Sequence, residues 1–220
     1  MDSATFIALL VIPFFVYGIA SGKLRELSGP GGWGAKFQEI AAERVDPTPV
    51  TACLQDIQLV QKGGIQALRE AGQHLQKGKP VALTLQLGRQ DYDLGALRAY
   101  LETLRIADPE TTVLFLDGGG GMVAYAEASA VLGLLGEPQQ GQQLLDAIKS
   151  ANVPYLRQLP GFCWQSITTE RSNAEALQLM RELNARTVVV VDSEKRPVGV
   201  VKRDNIIAQL LVQLAGVRAS

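Results

Sequence analysis

The longest apolar run comes first. "ATFIALLVIPFFVYGIASG", Ala4 to Gly22, carries no charged side chain and no polar face. At about 1.5 Å per helical residue it reaches roughly 28 Å, close to the depth of a hydrocarbon core. Pro13 would kink a helix in water but is tolerated in lipid when neighbours satisfy the freed carbonyl. Tyr17 suits an interfacial position. The pattern predicts an uncleaved transmembrane helix over 4–22. A secretory signal opens with basic residues, and here Asp2 is the one charge ahead of the run. Gly18 and Ala20 form a small-x-small pattern, which leaves cleavage open. Lys23 and Arg25 follow at once, and positive flanks stay cytoplasmic. The soluble part is therefore expected on the cytoplasmic face of an inner or plasma membrane.

Beyond the anchor the pattern changes. Residues 23–50 read as a juxtamembrane hinge, because "SGPGGWGAKF" is too rich in glycine to hold a helix. Trp33 and Phe37 either touch the bilayer surface or pack on the soluble part. "FQEIAAERV" suggests a short amphipathic helix, broken at "DPTP", Asp46 to Pro49. Residues 51–78 predict a helical linker interrupted at Gly63-Gly64. Leu54, Ile57 and Val60 line one stripe, and Ile65, Leu68 and Leu75 another.

From Lys79 onward the pattern repeats. "TTVLFLDGGGGMVAYAEASAVLGLL", Thr111 to Leu135, lies over "RTVVVVDSEKRPVGVVKRDNIIAQL", Arg186 to Leu210, without a gap at an offset of 75. Each copy reads as a β-branched or apolar strand ending in Asp, a four-residue turn, a second strand and a helix. Upstream, "LQLGRQDYDLGAL" matches "SITTERSNAEAL" at an offset of 80, with Ala96 and Leu97 on Ala176 and Leu177. One unit is thus β-α-β-β-α, with repeats over 79–136 and 153–215 of a module spanning 79–220. Ser172 or Asn173 caps the helix of the second copy.

The duplication decides how to read "GGGG", Gly118 to Gly121. The second copy places "SEKR" there, and charged residues in the same turn mark a solvent-facing hairpin bend. A phosphate loop would need a helix opening directly after the glycines, and a strand follows instead.

Composition removes several function classes. The 220 residues are 47% hydrophobic with a formal net charge of −1, so no global basic field invites a nucleic-acid polymer. Cys53 and Cys163 are far apart and lack the spacing of a zinc site or disulfide framework, which suits a reducing compartment. The single histidine, His74, has no catalytic partner in sequence. Asp117 and Asp192 resemble a pair of carboxylates, yet each ends a strand at the same repeat position and so reads as a turn-starter. Cys163, in "GFCWQS", has no basic neighbour to activate it. No nucleophile, base or metal set can be assembled, so no enzyme is expected.

The α/β unit ending in "TVVVVDSEKRPVGVVKRDNII", with "EALQLMRELN" before it, resembles the cystathionine β-synthase (CBS) domain. Two copies on one chain resemble the paired arrangement called a Bateman module. The resemblance implies a regulatory role, with an adenine nucleotide such as AMP or ATP held between repeats. It also implies a site motif after the second hairpin strand: Gly199, then Lys202 where the family has a hydroxyl residue, then Asn205 where it has Asp. Thr168 and Thr169, at the repeat's first strand, complete that set. The first copy has Ala124, Glu127 and Ala130 at the motif positions, so the motif is absent there. A neutral Asn oxygen in place of a carboxylate weakens a ribose contact by about 1–3 kcal/mol.

The expected function is a membrane-anchored regulatory or scaffolding subunit, homodimeric by default, acting on an unidentified membrane protein or enzyme. The alternative is a purely structural oligomerisation subunit with no ligand.

Overall fold

The computed structural model describes residues 42–49 and 82–214. The predicted anchor over 4–22, most of the hinge, the linker over 51–78 and His74 lie outside these residues. Among the described residues, no helix is long and apolar enough to cross a membrane. The fold is mixed α/β. Its elements are β1 (Thr48–Pro49), β2 (Ala82–Gln86), α1 (Leu94–Ala107), β3 (Thr112–Leu116), β4 (Met122–Glu127), α2 (Ala128–Gly136), α3 (Pro138–Lys149), α4 (Val153–Gln158), β5 (Phe162–Cys163), β6 (Ile167–Thr168), α5 (Asn173–Glu182), β7 (Thr187–Val191), β8 (Pro197–Lys202) and α6 (Arg203–Leu214).

The chain forms two compact units. Of the described residues, 42–46, 167–188 and 201–214 belong to the first, and 47–49, 82–166 and 189–200 to the second. The division does not follow the repeats. The tip of the second hairpin clusters with the first repeat.

In the second unit four strands lie in the order β2-β3-β4-β5. β2 runs parallel to β3, from Ala82 beside Thr112 to Gln86 beside Leu116, so the chain must cross over between them. Helix α1 is that crossover. Asp93 caps it, accepting from the Ala96 amide at 2.8 Å. Leu97, Tyr100, Leu101 and Leu104 recur at helical spacing and are all buried. Helices α3 and α4 were not distinguished from sequence. Pro138 opens α3 in its first turn, and Leu144, Leu145 and Ile148 bury its apolar face. The Asn152 side chain caps α4 by accepting from the Tyr155 amide at 3.2 Å. Phe115 and Phe162 meet in this core with ring centroids 5.2 Å apart.

The two hairpins match residue for residue. β3 and β7, β4 and β8, and the starts of α2 and α6 all fall at the offset of 75. So do the turn bonds. The Asp117 amide donates to Gly121 O at 2.8 Å, and Asp192 to Arg196 O at 2.9 Å. Each Asp carboxylate accepts from two turn amides, those of Gly119 and Gly121 in one copy and of Glu194 and Arg196 in the other. The loop is three residues long, not four: Asp117 pairs with Gly121, and the last loop residue takes positive φ, 83° at Gly120 and 61° at Lys195. This is a type I turn closed by a left-handed residue. Glycine fits that position freely, and Lys195 shows that the bend forms without it.

The hairpins share a core within the second unit. Leu114, Met122 and Tyr125 of the first pack with Val189, Val191 and Val200 of the second, beside Ala82. Three positions recur on both sides at the offset of 75: Leu114 with Val189, Leu116 with Val191, and Tyr125 with Val200. The two hairpins thus contribute equivalent positions to the contact, and one hydrogen bond has no equivalent. The Met122 amide donates to Lys195 O at 2.9 Å. The reciprocal donor would be Pro197, which has no N–H.

The other sheet has the order β1-β8-β7-β6, and β7 and β8 contribute residues to both units. In the first unit, Ser172 caps α5 in a reciprocal capping box: its hydroxyl accepts from the Glu175 amide at 3.3 Å, and the Glu175 carboxylate accepts from the Ser172 amide at 2.9 Å. Those bonds, the Ser172 amide first, hold the Glu175 carboxyl below its ordinary range. Ser172→Ala is expected to lower stability by about 1 kcal/mol in chemical denaturation. The caps Asp93 and Ser172 set the helix offset at 79. Leu97 thus corresponds to Ala176 and Leu101 to Met180, all four buried, one residue from the sequence alignment.

The last described residues of the 23–50 stretch are paired with other parts of the chain. In the first unit, Val45 donates to Arg171 O and Asn173 donates to Glu43 O, both at 2.9 Å, and Val45 is 4% exposed. In the second unit, Thr48 and Pro49 pair antiparallel with Val200 and Gly199. Proline is admissible because β1 is an edge strand, where a missing N–H leaves no inner ladder bond unmade. Within "DPTP", Thr48–Pro49 form the strand, and no helix continues through the stretch.

Candidate functional site

The positions implied by the family resemblance fall on two stretches, the end of β8 with the start of α6, and the end of β6. Gly199 and Lys202 lie on that strand, and Asn205 lies in the first turn of α6. Thr168 ends β6, Thr169 follows it, and both are exposed. Thr168, Thr169, Lys202 and Asn205 belong to the first unit, whereas Gly199 belongs to the second. α6 begins directly where β8 ends, its Arg203 amide donating to Arg186 O at 2.8 Å. The same join occurs in the first copy, where Ala128 donates to Thr111 O at 2.8 Å.

Lys202 is half-buried at the strand end, and Asn205 is exposed three residues on. The neighbouring Asp204 is also exposed and lies 3.9 Å from the Arg203 guanidinium. This set offers a cation, a neutral amide and two hydroxyls. Such groups can donate to phosphate and bracket a ribose.

Gly199 is explained by its surroundings. It is buried, and a Cβ there would stand 2.7 Å from Pro47 Cβ and 2.7 Å from Thr48 O. The small residue lets β1 approach. The β1 residues are illegible in the sequence alone because Pro47 and Pro49 read as breakers. The available signal was Val45 and Thr48 flanking them, compatible with an edge strand.

The groups considered for catalysis have structural partners. Asp117 and Asp192 hold the hairpin turns. In the second copy the Arg196 amide, aided by the Arg196 side chain and the Glu194 amide, keeps the Asp192 carboxyl low. Cys163 is half-buried on β5. Burial pushes its thiol up and the Glu127 charge adds to that, while the Tyr125 hydroxyl pulls the other way. A thiol so placed supplies little thiolate at neutral pH. The Tyr125 hydroxyl is itself buried without a well-formed hydrogen bond, and desolvation pushes its ionisation far upward. Among the described residues, no group of three or more His, Cys, Asp or Glu side chains could hold a metal ion.

No protein-family model matches the chain, and no curated protein matches it. Solved structures similar to it are CBS domain pairs. The CBS-pair protein CBSX2 from Arabidopsis thaliana is 16% identical, with a TM-score of 0.40, over 63% of this chain and 90% of its own. The CBS domain pair of protein MJ0100, in complex with 5′-methylthioadenosine and S-adenosyl-L-methionine, is 14% identical at a TM-score of 0.40, over 61% of this chain and 89% of its own. The CBS domain of a CBS domain-containing membrane protein from Sphaerobacter thermophilus is 18% identical at 0.34, over 68% and 96%.

Proposed function

We propose that this chain is a regulatory subunit built on a CBS pair, tethered to the cytoplasmic face of a membrane through residues 4–22. Its second repeat takes an adenine nucleotide, AMP or ATP, on Thr168, Thr169, Lys202 and Asn205. Residues 79–136 and 153–215 are its two repeats, and a homodimer acting on a membrane protein or enzyme is its working form. One observation carries the reading. Two hairpins at one sequence offset share the same turn bonds and one seam, which supports a duplicated unit. A nucleotide can act on such a module only by binding one arrangement better than another.

The alternative is a structural subunit with no ligand. It is favoured by Asn205 standing in place of a carboxylate and by Gly199 lying under β1.

Calorimetric titration of the full chain with AMP, ATP and a dinucleotide decides between them. Saturable heat and a raised melting temperature with AMP or ATP are expected. An unchanged melting temperature with every nucleotide would leave the structural reading.

A further inference from the structure

We infer that residues 43–49 form a releasable strap across the second repeat, whose attachment reports the state of the β8–α6 end. The ligand-linked part of this inference rests on the nucleotide reading above. In the first unit, the strap grips the stretch just after Thr168 and Thr169. Val45 donates to Arg171 O, Asn173 donates to Glu43 O, and Arg44 bridges Ser172. In the second unit it grips the stretch just before Lys202, with Thr48 beside Val200 and Pro49 beside Gly199. The strap thus holds both segments that carry the candidate ligand groups, and itself carries none of them.

Its attachment is slight. Val45 is the one buried apolar side chain it contributes among the described residues, the paired strand is two residues long, and Pro47 and Pro49 have no N–H to donate. Short ladders of this kind open at far lower free energy than a central strand. Its seating also depends on a single absent atom, the Cβ that residue 199 lacks. A ligand that orders residues 168–169 and 202–205 steadies the flanking stretches the strap is bonded to.

Hydrogen exchange on the full chain, in detergent micelles, tests this. Gly199→Ala is expected to speed exchange at the Val45 and Asn173 amides by roughly tenfold, while Val113 and Phe115 in β3 keep wild-type rates. Val45→Ser, acting from the other end, should do the same. Unchanged strap amides in both variants overturn the inference. Saturating AMP is expected to slow the same two amides in the wild type. AMP that binds saturably without slowing them overturns the ligand linkage and leaves the nucleotide reading intact. AMP that does not bind sinks the nucleotide reading and the linkage with it, and the two variants alone then decide whether the strap is releasable.

Discussion

Leu114→Ala is expected to lower the unfolding free energy by about 2–5 kcal/mol, the range for truncating a fully buried leucine where the surroundings cannot close the gap. Leu114 sits on β3 with no exposed surface and packs in the shared core with Val189, Val191 and Val200 of the other hairpin. Both hairpins therefore lose contacts from one substitution, and neither can move in without giving up its own ladder. Denaturant unfolding of the full chain checks this through a lower midpoint. Val198→Ala is the control. That side chain is 38% exposed, and its loss should fall within about 0.5 kcal/mol of neutral. A Leu114→Ala effect as small as the control's would mean that the hairpins do not stabilise each other.

Asn205→Asp should tighten AMP binding by about 5–150-fold, the equivalent of about 1–3 kcal/mol for a charge-assisted acceptor replacing a neutral one. Asn205 occupies the first turn of α6, where a carboxylate also benefits from the helix dipole. It is exposed, so the substitution buries no charge and leaves the fold unstrained. Paired titrations of wild type and variant with AMP read the change directly. Equal or weaker affinity in the variant would remove Asn205 from the ribose and with it the proposed site.

The hairpins were legible in sequence because three independent local signals coincide in each copy: an unbroken apolar strand, an Asp that can cap its own turn, and a turn that tolerates positive φ. Those signals are local to each hairpin, so the offset of 75 survives to the residue. The helix offset slipped by one because Ala96-Leu97 over Ala176-Leu177 is a match of letters, whereas the caps at Asp93 and Ser172 depend on which side chain turns back to an amide. β1 was illegible for a different reason. Two residues carry no periodicity, and their strand character exists only because β8 offers an edge and Gly199 leaves room. The candidate positions were named through family resemblance. Their neighbourhood was not legible, since the segments that flank them are bonded to residues more than a hundred positions away.

The arrangement of short strands has a bearing on ancestry. β5, which precedes the second repeat's first strand, completes the first repeat by pairing Cys163 with Tyr125. β1, which lies ahead of the first repeat, completes the second by pairing Thr48 with Val200. Tyr125 and Val200 are the same place in their copies, so each half lends its leader to the other. A single repeat carrying this exchange would complete its sheet only with a second copy, as a swapped homodimer. Joined in one chain, the two copies are free to differ: Pro197 removes one of the two cross-hairpin bonds, where in two identical copies it would remove both.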